Sequence, residues 1–222
     1  MFARKTPVWF WLFLILLVVL PIVLILFFFE IIDISFAKLG LSPMTGLLLL
    51  ILSLVGSVIN VPISRRRIVL EEQRSLEFPF SLLFYTPPRV REQTIAINIG
   101  GAVIPTCFSI YLLATRAPLW QTVVATAVVA AFARILAKPK PGVGIVMPVW
   151  IPPLLSVALA LLLSRHNAPP VAYISGTMGT LIGADLLNFP AFKRLGAHVL
   201  SIGGAGVFDG IFLVGIIAAL LA

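Results

Sequence analysis

The last fifth of the chain contains two apolar, glycine-rich segments, ISGTMGTLIGADLLNFP (residues 174–190) and HVLSIGGAGVFDGIFLVG (residues 198–215). Each belongs to a stretch long enough to enter a bilayer, and each carries one aspartate, Asp185 or Asp209. A carboxylate at membrane depth costs about 2.5–3.5 kcal/mol on insertion scales, so such residues are rare and mark functional sites. Two of them on consecutive segments predict one site that both aspartates form.

The composition of the whole chain is that of a membrane protein. Of its 222 residues, 60% are hydrophobic and only 11% are charged, and the run from Val8 to Phe29 contains no charged residue. A helix needs about 20 apolar residues to cross the hydrocarbon core. No hydrophilic stretch is long enough to fold as a separate soluble domain, so we expect one integral membrane domain over residues 1–222.

Apolar segments along the chain predict an all-α polytopic protein with about seven transmembrane helices. They cover residues 8–29, 43–61, 94–114, 119–136, 149–164, 169–189 and 198–221, and the last two are the aspartate-bearing helices. Glycine and proline interrupt the pattern at GSVINVP (56–62), NIGGAVIP (98–105) and KPKPGVGIVMP (138–148). Since irregular backbone at membrane depth must be buried in protein or line a cavity, we expect broken or re-entrant stretches there.

The longest polar stretch, residues 64–93, is expected to be a cytoplasmic or interfacial loop. It carries six arginines, and its middle, FPFSLLFY (78–85), is apolar and aromatic. That middle piece would suit a segment lying along the membrane interface, or an irregular loop packed on the helices. The sequence leaves both alternatives open.

Basic residues are distributed unequally between alternate flanks of the seven segments. The N-terminus and the loops after the second, fourth and sixth segments carry 13 of the 16 Lys and Arg residues. The other flanks carry three, namely Lys38, Arg116 and Arg165. Because positive residues favour the cytoplasmic side, we expect an inner-membrane protein with a cytoplasmic N-terminus and an extracytoplasmic C-terminus. The net charge of +8 then needs no nucleic-acid partner.

The predicted directions bring Asp185 and Asp209 to the same side of the membrane, on neighbouring antiparallel helices. Helical rise places them about 8 Å and about 17 Å from the cytoplasmic ends of their segments. The two depths agree better if Ser201–Gly206 is a loop, which the glycines of SIGGAG favour because each lowers helix propensity by about 1 kcal/mol. If the carboxyls meet, charge repulsion makes them share one proton, so that one activates water while the other protonates a scissile carbonyl.

These motifs resemble two groups of proteins. An aspartate on one helix followed by Gly204-Ala205-Gly206-Val207-Phe208-Asp209 on the next is similar to the arrangement in intramembrane aspartyl proteases of the presenilin and signal-peptide-peptidase type, and in prepilin peptidases. Those families carry Gly-x-Gly-Asp, whereas two residues are inserted here. The chain as a whole resembles a poorly characterised domain-of-unknown-function family of small prokaryotic multi-pass membrane proteins with GADLLN and GGAGxFDGIF motifs. That second resemblance implies no established activity.

The protease resemblance implies that Asp185 and Asp209 are catalytic and that the substrate is a membrane-embedded peptide or protein within the lipid bilayer. Glycines near the aspartates would leave room for an extended substrate backbone; they are Gly183, Gly204, Gly206 and Gly210. The proline-rich stretch would add a substrate-facing strand through Pro141, Gly142, Gly144 and Pro148. We expect no cofactor and no metal, because Asp185, Asp209 and His198 are too sparse a ligand set. The oligomeric state is left open.

Two other functions fit the same sequence. A transporter or channel would bind its substrate at the broken helices and use the aspartates as proton or cation carriers. Asn60 and Asn98 would then line the path, or would instead hydrogen-bond neighbouring helices. A non-catalytic membrane assembly protein would use the aspartates only to hold its helices together. A protease requires the two carboxyls to face each other, whereas a carrier can use them singly.

Overall fold

The computed structural model describes residues 8–70, 89–140, 144–192, 199–204 and 210–222. In these ranges the helices α1 to α8 cover Val8–Lys38, Pro43–Ser57, Ile104–Thr115, Leu119–Leu136, Ile151–Leu163, Ala168–Thr180, Phe189–Phe192 and Gly210–Leu221. The strands β1 to β5 cover Asn60–Leu70, Arg89–Asn98, Lys138–Lys140, Gly144–Val146 and Val199–Ile202. Two π-helical turns, Ile99–Val103 and Leu181–Leu186, precede α3 and follow α6. A 3-10 turn, Arg165–Asn167, joins α5 to α6.

The chain is mostly helical, and a helix lies in each of the seven predicted segments. The expected all-α fold is nevertheless wrong in one respect, because the described residues also form two small β-sheets. β1 pairs antiparallel with β2, β5 joins β2 in parallel, and β3 pairs antiparallel with β4. The strands supply backbone hydrogen bonds where the helices stop, which an interrupted helix inside a protein requires.

Two predicted segments contain a strand before their helix begins. The third begins as strand β2 and becomes helical only at Ile99. The seventh contains strand β5 and a turn at Gly203 and Gly204, both with positive φ, before α8 begins at Gly210. The predicted departure of Ser201–Gly206 from a helix is confirmed for residues 201–204. The second aspartate-bearing helix predicted over residues 198–221 is thereby corrected to one that begins at Gly210.

Two of the predicted breaks are confirmed. α2 ends at Ser57 and β1 begins at Asn60, within GSVINVP, and the stretch 138–148 contains strands β3 and β4 instead of a helix. The expected loop 64–93 is corrected at both of its ends, which belong to β1 and β2. Its aromatic middle, residues 78–85, lies outside the described residues.

The central helix of the bundle is α6, which contacts α3, α4, α5 and α8. Nearly all of its residues are buried. Small residues let its neighbours approach closely: Gly176 faces Ser156 of α5, and Gly179 faces Val129 of α4. Such small-residue contacts are the usual basis of helix packing in membranes. An apolar cluster fills the space between α1, α2, α3, α6 and α8; it contains Ile32, Phe36, Leu39, Leu50, Phe108, Leu112, Tyr173, Ile174, Phe212, Ile216 and Ala219.

At one end of the bundle, which we call the Lys38 end, side chains hold the ends of successive helices together. Lys38 Nζ donates to the carbonyl of Leu220 at 2.6 Å. Arg116 Nη2 donates to the carbonyl of Gly40 at 3.1 Å, and the Asn167 amide donates to the carbonyl of Arg116 at 2.6 Å. These bonds join the loops after α1, α3 and α5 to the end of α8.

The opposite end, which we call the sheet end, joins the other loops. There β1, β2 and β5 form one sheet, so that the loops after α2 and after α6 meet. Arg134, near the end of α4, donates to the carbonyl of Leu187. Alternate loops thus gather at opposite ends, as the charge alternation predicted.

Within the described ranges, two helices are long and apolar enough to cross a bilayer, Leu16–Lys38 and Leu119–Leu136. Shorter apolar helices cover Pro43–Ser57, Ile99–Thr115, Ile151–Leu163 and Ile211–Leu221. The large apolar side chains of α1 between Leu16 and Phe29 are all exposed. These lengths and compositions favour association with a membrane, and the number of spans stays a prediction.

Candidate functional site

Asp185 lies in the π-helical turn at the sheet end of the central helix. Its side chain is half-buried, and its Oδ2 accepts a hydrogen bond from the backbone N–H of Gly203 at 2.7 Å. Turns of this kind insert an extra residue into a helix and are frequent at functional sites. The bond joins the first aspartate-bearing helix to the glycine turn that leads, six residues later, to Asp209.

The glycine turn has a backbone that other residues rarely adopt, with φ of 85° at Gly203 and 100° at Gly204. It also lies directly against the start of the helix formed by Ile99–Val103 and α3. A Cβ added to Gly203 would lie 2.6 Å from the Cβ of Ala102 and 2.7 Å from its backbone nitrogen. The turn that donates to the Asp185 carboxylate is therefore itself packed on the start of this helix.

Four of the predicted site residues lie outside the described residues; they are Asp209, Gly206, Pro141 and Gly142. The chain on either side of Asp209 is described. Gly203 bonds to Asp185, and Ile211 packs in the same apolar cluster as Leu181 and Leu200. Leu181 precedes Asp185 by four residues and Ile211 follows Asp209 by two, so one cluster borders both aspartate-bearing segments.

The remaining predicted substrate-binding glycines and proline have different surroundings. Gly183 packs against α4, since a Cβ at this position would lie 2.2 Å from the carbonyl oxygen of Ala130. This contact gives Gly183 a helix-packing role. Gly204 lies in the turn beside Asp185, and Gly210 is the first residue of α8. Gly144 begins β4, and Pro148 is exposed between β4 and α5.

A network of buried polar groups lies at the same end of the bundle. Asn98, which is 1% exposed, donates to the carbonyl of Ser57 at 2.6 Å and to Asn60 Oδ1 at 3.1 Å. Its own Oδ1 accepts from the N–H of Gly101 at 2.7 Å, which caps the π-helical turn. The hydroxyl of Ser201 donates to Asn60 Oδ1. Asn60 and Asn98 therefore form hydrogen bonds to neighbouring elements of the fold, which is the alternative to lining a transport path.

The broken helices α2 and Ile99–Val103 cross at very short range. Ser53 Oγ donates to the carbonyl of Gly100 at 2.7 Å. A Cβ on Gly100 would lie 2.0 Å from the carbonyl oxygen of Ser53 and 2.3 Å from the nitrogen of Ser57. Sequence reasoning did not single out Ser53 and Ser57, although their spacing with Gly56 forms a stripe of small residues on one face of α2.

In the part of the chain that the structure describes, no group of three or more His, Cys, Asp and Glu side chains could hold a metal ion. The arrangement as described holds the Asp185 carboxylate in place through the backbone N–H of Gly203, in the turn that leads to the second aspartate-bearing segment. Chemically, this suits proton transfer by a carboxyl group.

Comparison with known proteins identifies a family without indicating an activity. No curated protein and no solved structure matches the chain. Residues 54–221 match the family described as "Protein of unknown function (DUF1614)". The match begins within α2 and ends at the last residue of α8, so it includes the whole sheet and both aspartate-bearing segments. Because it covers most of the chain, the protein belongs to the DUF1614 family.

Proposed function

We propose that the protein is a multi-pass protein of the inner membrane, with a cytoplasmic N-terminus and an extracytoplasmic C-terminus. Only 6% of the most apolar part of Leu16–Lys38 is buried, and a helix that is apolar on every face is covered by lipid or protein. Large apolar side chains are also exposed on α2, α4 and α5. Soluble monomers rarely expose contiguous apolar patches above a few hundred Å². The basic loops of the sheet end favour that end as the cytoplasmic one.

Within this membrane protein, we propose that Asp185 and Asp209 form a catalytic pair that hydrolyses peptide bonds of membrane-embedded substrates. The hydrogen bond from Gly203 to Asp185 is the observation that carries the proposal. It ties the first aspartate to the turn that leads to the second. The non-helical backbone of residues 201–204 also removes part of the difference in depth that a continuous helix would impose.

In the proposed reaction one carboxylate removes a proton from water, and the water oxygen attacks the scissile carbonyl carbon. The other carboxyl donates its proton to the carbonyl oxygen. The tetrahedral intermediate then releases the amine, which takes a proton from the first carboxyl, while one hydroxyl of the intermediate returns a proton to the second carboxylate. The Gly203 N–H would fix Oδ2 of Asp185, leaving Oδ1 for the water or for the second carboxyl.

The sheet offers a place for an extended substrate. Among the described strands, β5 lies at the edge of its sheet. A substrate strand that added to this edge through main-chain hydrogen bonds would lead directly to Gly203 and the Asp185 carboxylate. Gly204, Gly206 and Gly210 would leave space for its backbone, and the β3–β4 ribbon with Gly144 and Pro148 would be a second contact.

A proton- or cation-coupled transporter is a second candidate, favoured by the interrupted helices. α2 ends at Ser57, and the helix of Ile99–Val103 and α3 begins beside that end, with Asn98 buried between them. Transporters bind ions and substrates at discontinuous helices of this kind. In that case Asp185 and Asp209 would be the carriers.

The two candidates separate in one experiment on the purified protein in proteoliposomes. Cleavage of a fluorogenic transmembrane peptide should fall at least about 100-fold in both Asp185→Asn and Asp209→Asn, as expected for the loss of an acid–base group. Asp33→Asn is the matched control, because the chain has three aspartates and Asp33, in α1, is the one outside the proposed pair. Full cleavage by either variant would contradict the catalytic pair. Proton or cation flux that the two substitutions abolish, without any wild-type cleavage, would support the transporter.

A further inference from the structure

A second candidate site lies at the Lys38 end, whereas Asp185 lies at the sheet end. A cavity of about 650 Å³, open to the surface, is bordered there by the ends of α1 and α3 and the beginnings of α4 and α6. Its polar and basic lining consists of Lys38, Thr115, Arg116, His166 and Asn167, and the rest is alanine, leucine and proline. None of the described residues that line it is acidic.

The two charged side chains of the cavity are held by neutral groups. Lys38 donates to the carbonyl of Leu220, and Arg116 donates to the carbonyl of Gly40. Neither bond cancels a positive charge. The carbonyl end of α8 carries partial negative charge, which offsets part of the positive charge of Lys38. An ammonium has three donors and a guanidinium has five, so both side chains retain donors for a ligand.

The Arg116 guanidinium also lies against a glycine turn, which orients it next to the cavity. Gly40, which has a φ of 75°, forms the turn between α1 and α2. A Cβ at Gly40 would lie 2.0 Å from Nη1 of Arg116, so the guanidinium lies on this turn because glycine leaves the space. A charge that is already in place binds an anion with less loss of side-chain freedom.

One helix beginning adds to the positive character of the cavity. Its lining includes Pro118, which precedes α4 and does not cap it with a side-chain hydrogen bond. The beginning of α6 adds few donors, because Pro169 and Pro170 occupy its first turn and proline has no backbone N–H. The amino ends of helices carry partial positive charge and bind anions, phosphate above all.

The distribution of charge along the chain singles out the same place. The loops at this end contain only three of the 16 Lys and Arg residues. Lys38 and Arg116 line the cavity, and Arg165 immediately precedes the lining residue His166. The few cations of this end are therefore concentrated around one cavity.

We propose that this cavity binds a phosphate group, carried either by the headgroup of an anionic lipid or by a water-soluble phosphate. Arginine and lysine together with helix amino ends are the groups that recognise phosphate oxygens in proteins. The apolar part of the lining, which includes Leu113 and Ala117, suits the carbon atoms next to the phosphate. This site does not depend on the proposed proteolytic activity.

The test is a binding titration of the detergent-purified protein, followed by native mass spectrometry. Phosphatidylglycerol, diacylglycerol, which lacks the phosphate, and inorganic phosphate are compared. The double variant Lys38→Gln/Arg116→Gln should bind the phosphate ligand at least about tenfold more weakly than wild type. Lys138→Gln is the matched control, because it removes one exposed positive charge at the sheet end.

The outcomes separate the sources of the phosphate. Competition by inorganic phosphate against phosphatidylglycerol would show that the phosphate group suffices, and binding of phosphatidylglycerol alone would identify a lipid site. Equal binding of phosphatidylglycerol and diacylglycerol, no binding of either phosphate ligand by wild type, or wild-type affinity in the double variant would overturn the proposal.

A second measurement covers the case in which the double variant does not fold, since both side chains also hold helix ends together. In the wild-type protein, the phosphate ligand should protect Lys38 from acetylation by a water-soluble acylating reagent, with Lys138 as the internal reference. Equal acetylation of Lys38 with and without phosphatidylglycerol and inorganic phosphate would overturn the proposal on unmodified protein.

Discussion

The two ends of the bundle satisfy their backbone polar groups in opposite ways. At the Lys38 end, helices finish near the surface, and exposed side chains such as Lys38 and Arg116 bond to carbonyls of the helix ends and turns. At the sheet end, helices stop within the packed protein, and buried Asn98, short strands and glycine contacts replace the lost helical bonds. Surface bonds can be exchanged for bonds to water, whereas buried ones cannot. The residues that admit few substitutes therefore lie at the same end as Asp185.

The largest expected effect at the sheet end comes from Gly100→Ala. The added Cβ would overlap backbone atoms of Ser53 and Ser57, at 2.0 and 2.3 Å, and so would force α2 away from the helix that begins at Ile99. We expect a loss of about 3 kcal/mol in the free energy of unfolding, as for an overpacked core. Unfolding titrations in mixed detergent micelles measure it.

Gly176→Ala is the matched control within the bundle. Its Cβ would lie 3.0 Å from the hydroxyl of Ser156 and 3.3 Å from Cγ1 of Val214, which are side-chain atoms at ordinary to tight contact distance, and the gain in helix propensity of up to about 1 kcal/mol offsets these contacts. We expect a change below about 1 kcal/mol. If both substitutions destabilise the protein equally, the close crossing at Gly100 is not what holds the sheet end together.

A smaller effect is expected from Asn98→Ala at the sheet end. Its comparison with Asn167→Ala at the Lys38 end tests the difference between the two ends directly. The substitution removes three hydrogen bonds and leaves the Ser57 carbonyl and the Gly101 N–H without their partner. Unpaired buried polar groups cost about 1–3 kcal/mol each, so we expect a total loss of about 2–3 kcal/mol after relaxation. Asn167→Ala removes one exposed bond at the Lys38 end and should cost less than about 1 kcal/mol. Thermal unfolding of both variants checks the difference, and an equal or larger loss for Asn167→Ala would contradict it.

Much of the helical layout could be predicted from local sequence. Residues 119–136 form a mainly apolar run without glycine or proline, and α4 covers the same residues. The second half of β2 was missed because its alternating residues Ile95 and Ile97 lie in an apolar run that also fits a membrane helix. Most of β1 was missed because it lies in the polar stretch that was expected to be a loop. The pairing of the two strands across a long loop is a tertiary contact, which no local pattern specifies.

The candidate site was predictable only in part, for the same reason. The glycines at 203 and 204 indicated a turn, and the turn is present. The hydrogen bond from Gly203 to Asp185 joins residues 18 apart and depends on how β5 pairs with β2. The contact of Gly183 with α4 likewise depends on helix packing, which the sequence does not specify. The substrate role was suggested only by the nearness of Gly183 to Asp185 in the sequence.

The central claim, that the two carboxyls form one pair, is tested most directly by an experimental structure of the protein in a lipid nanodisc. The quantity to measure is the distance between the carboxyl oxygens of Asp185 and Asp209. The proposed pair predicts a separation of about 3 Å, or about 5 Å across one bridging water. A separation beyond about 10 Å, with packed side chains between the two carboxyls, is far outside hydrogen-bond reach and would contradict the catalytic pair.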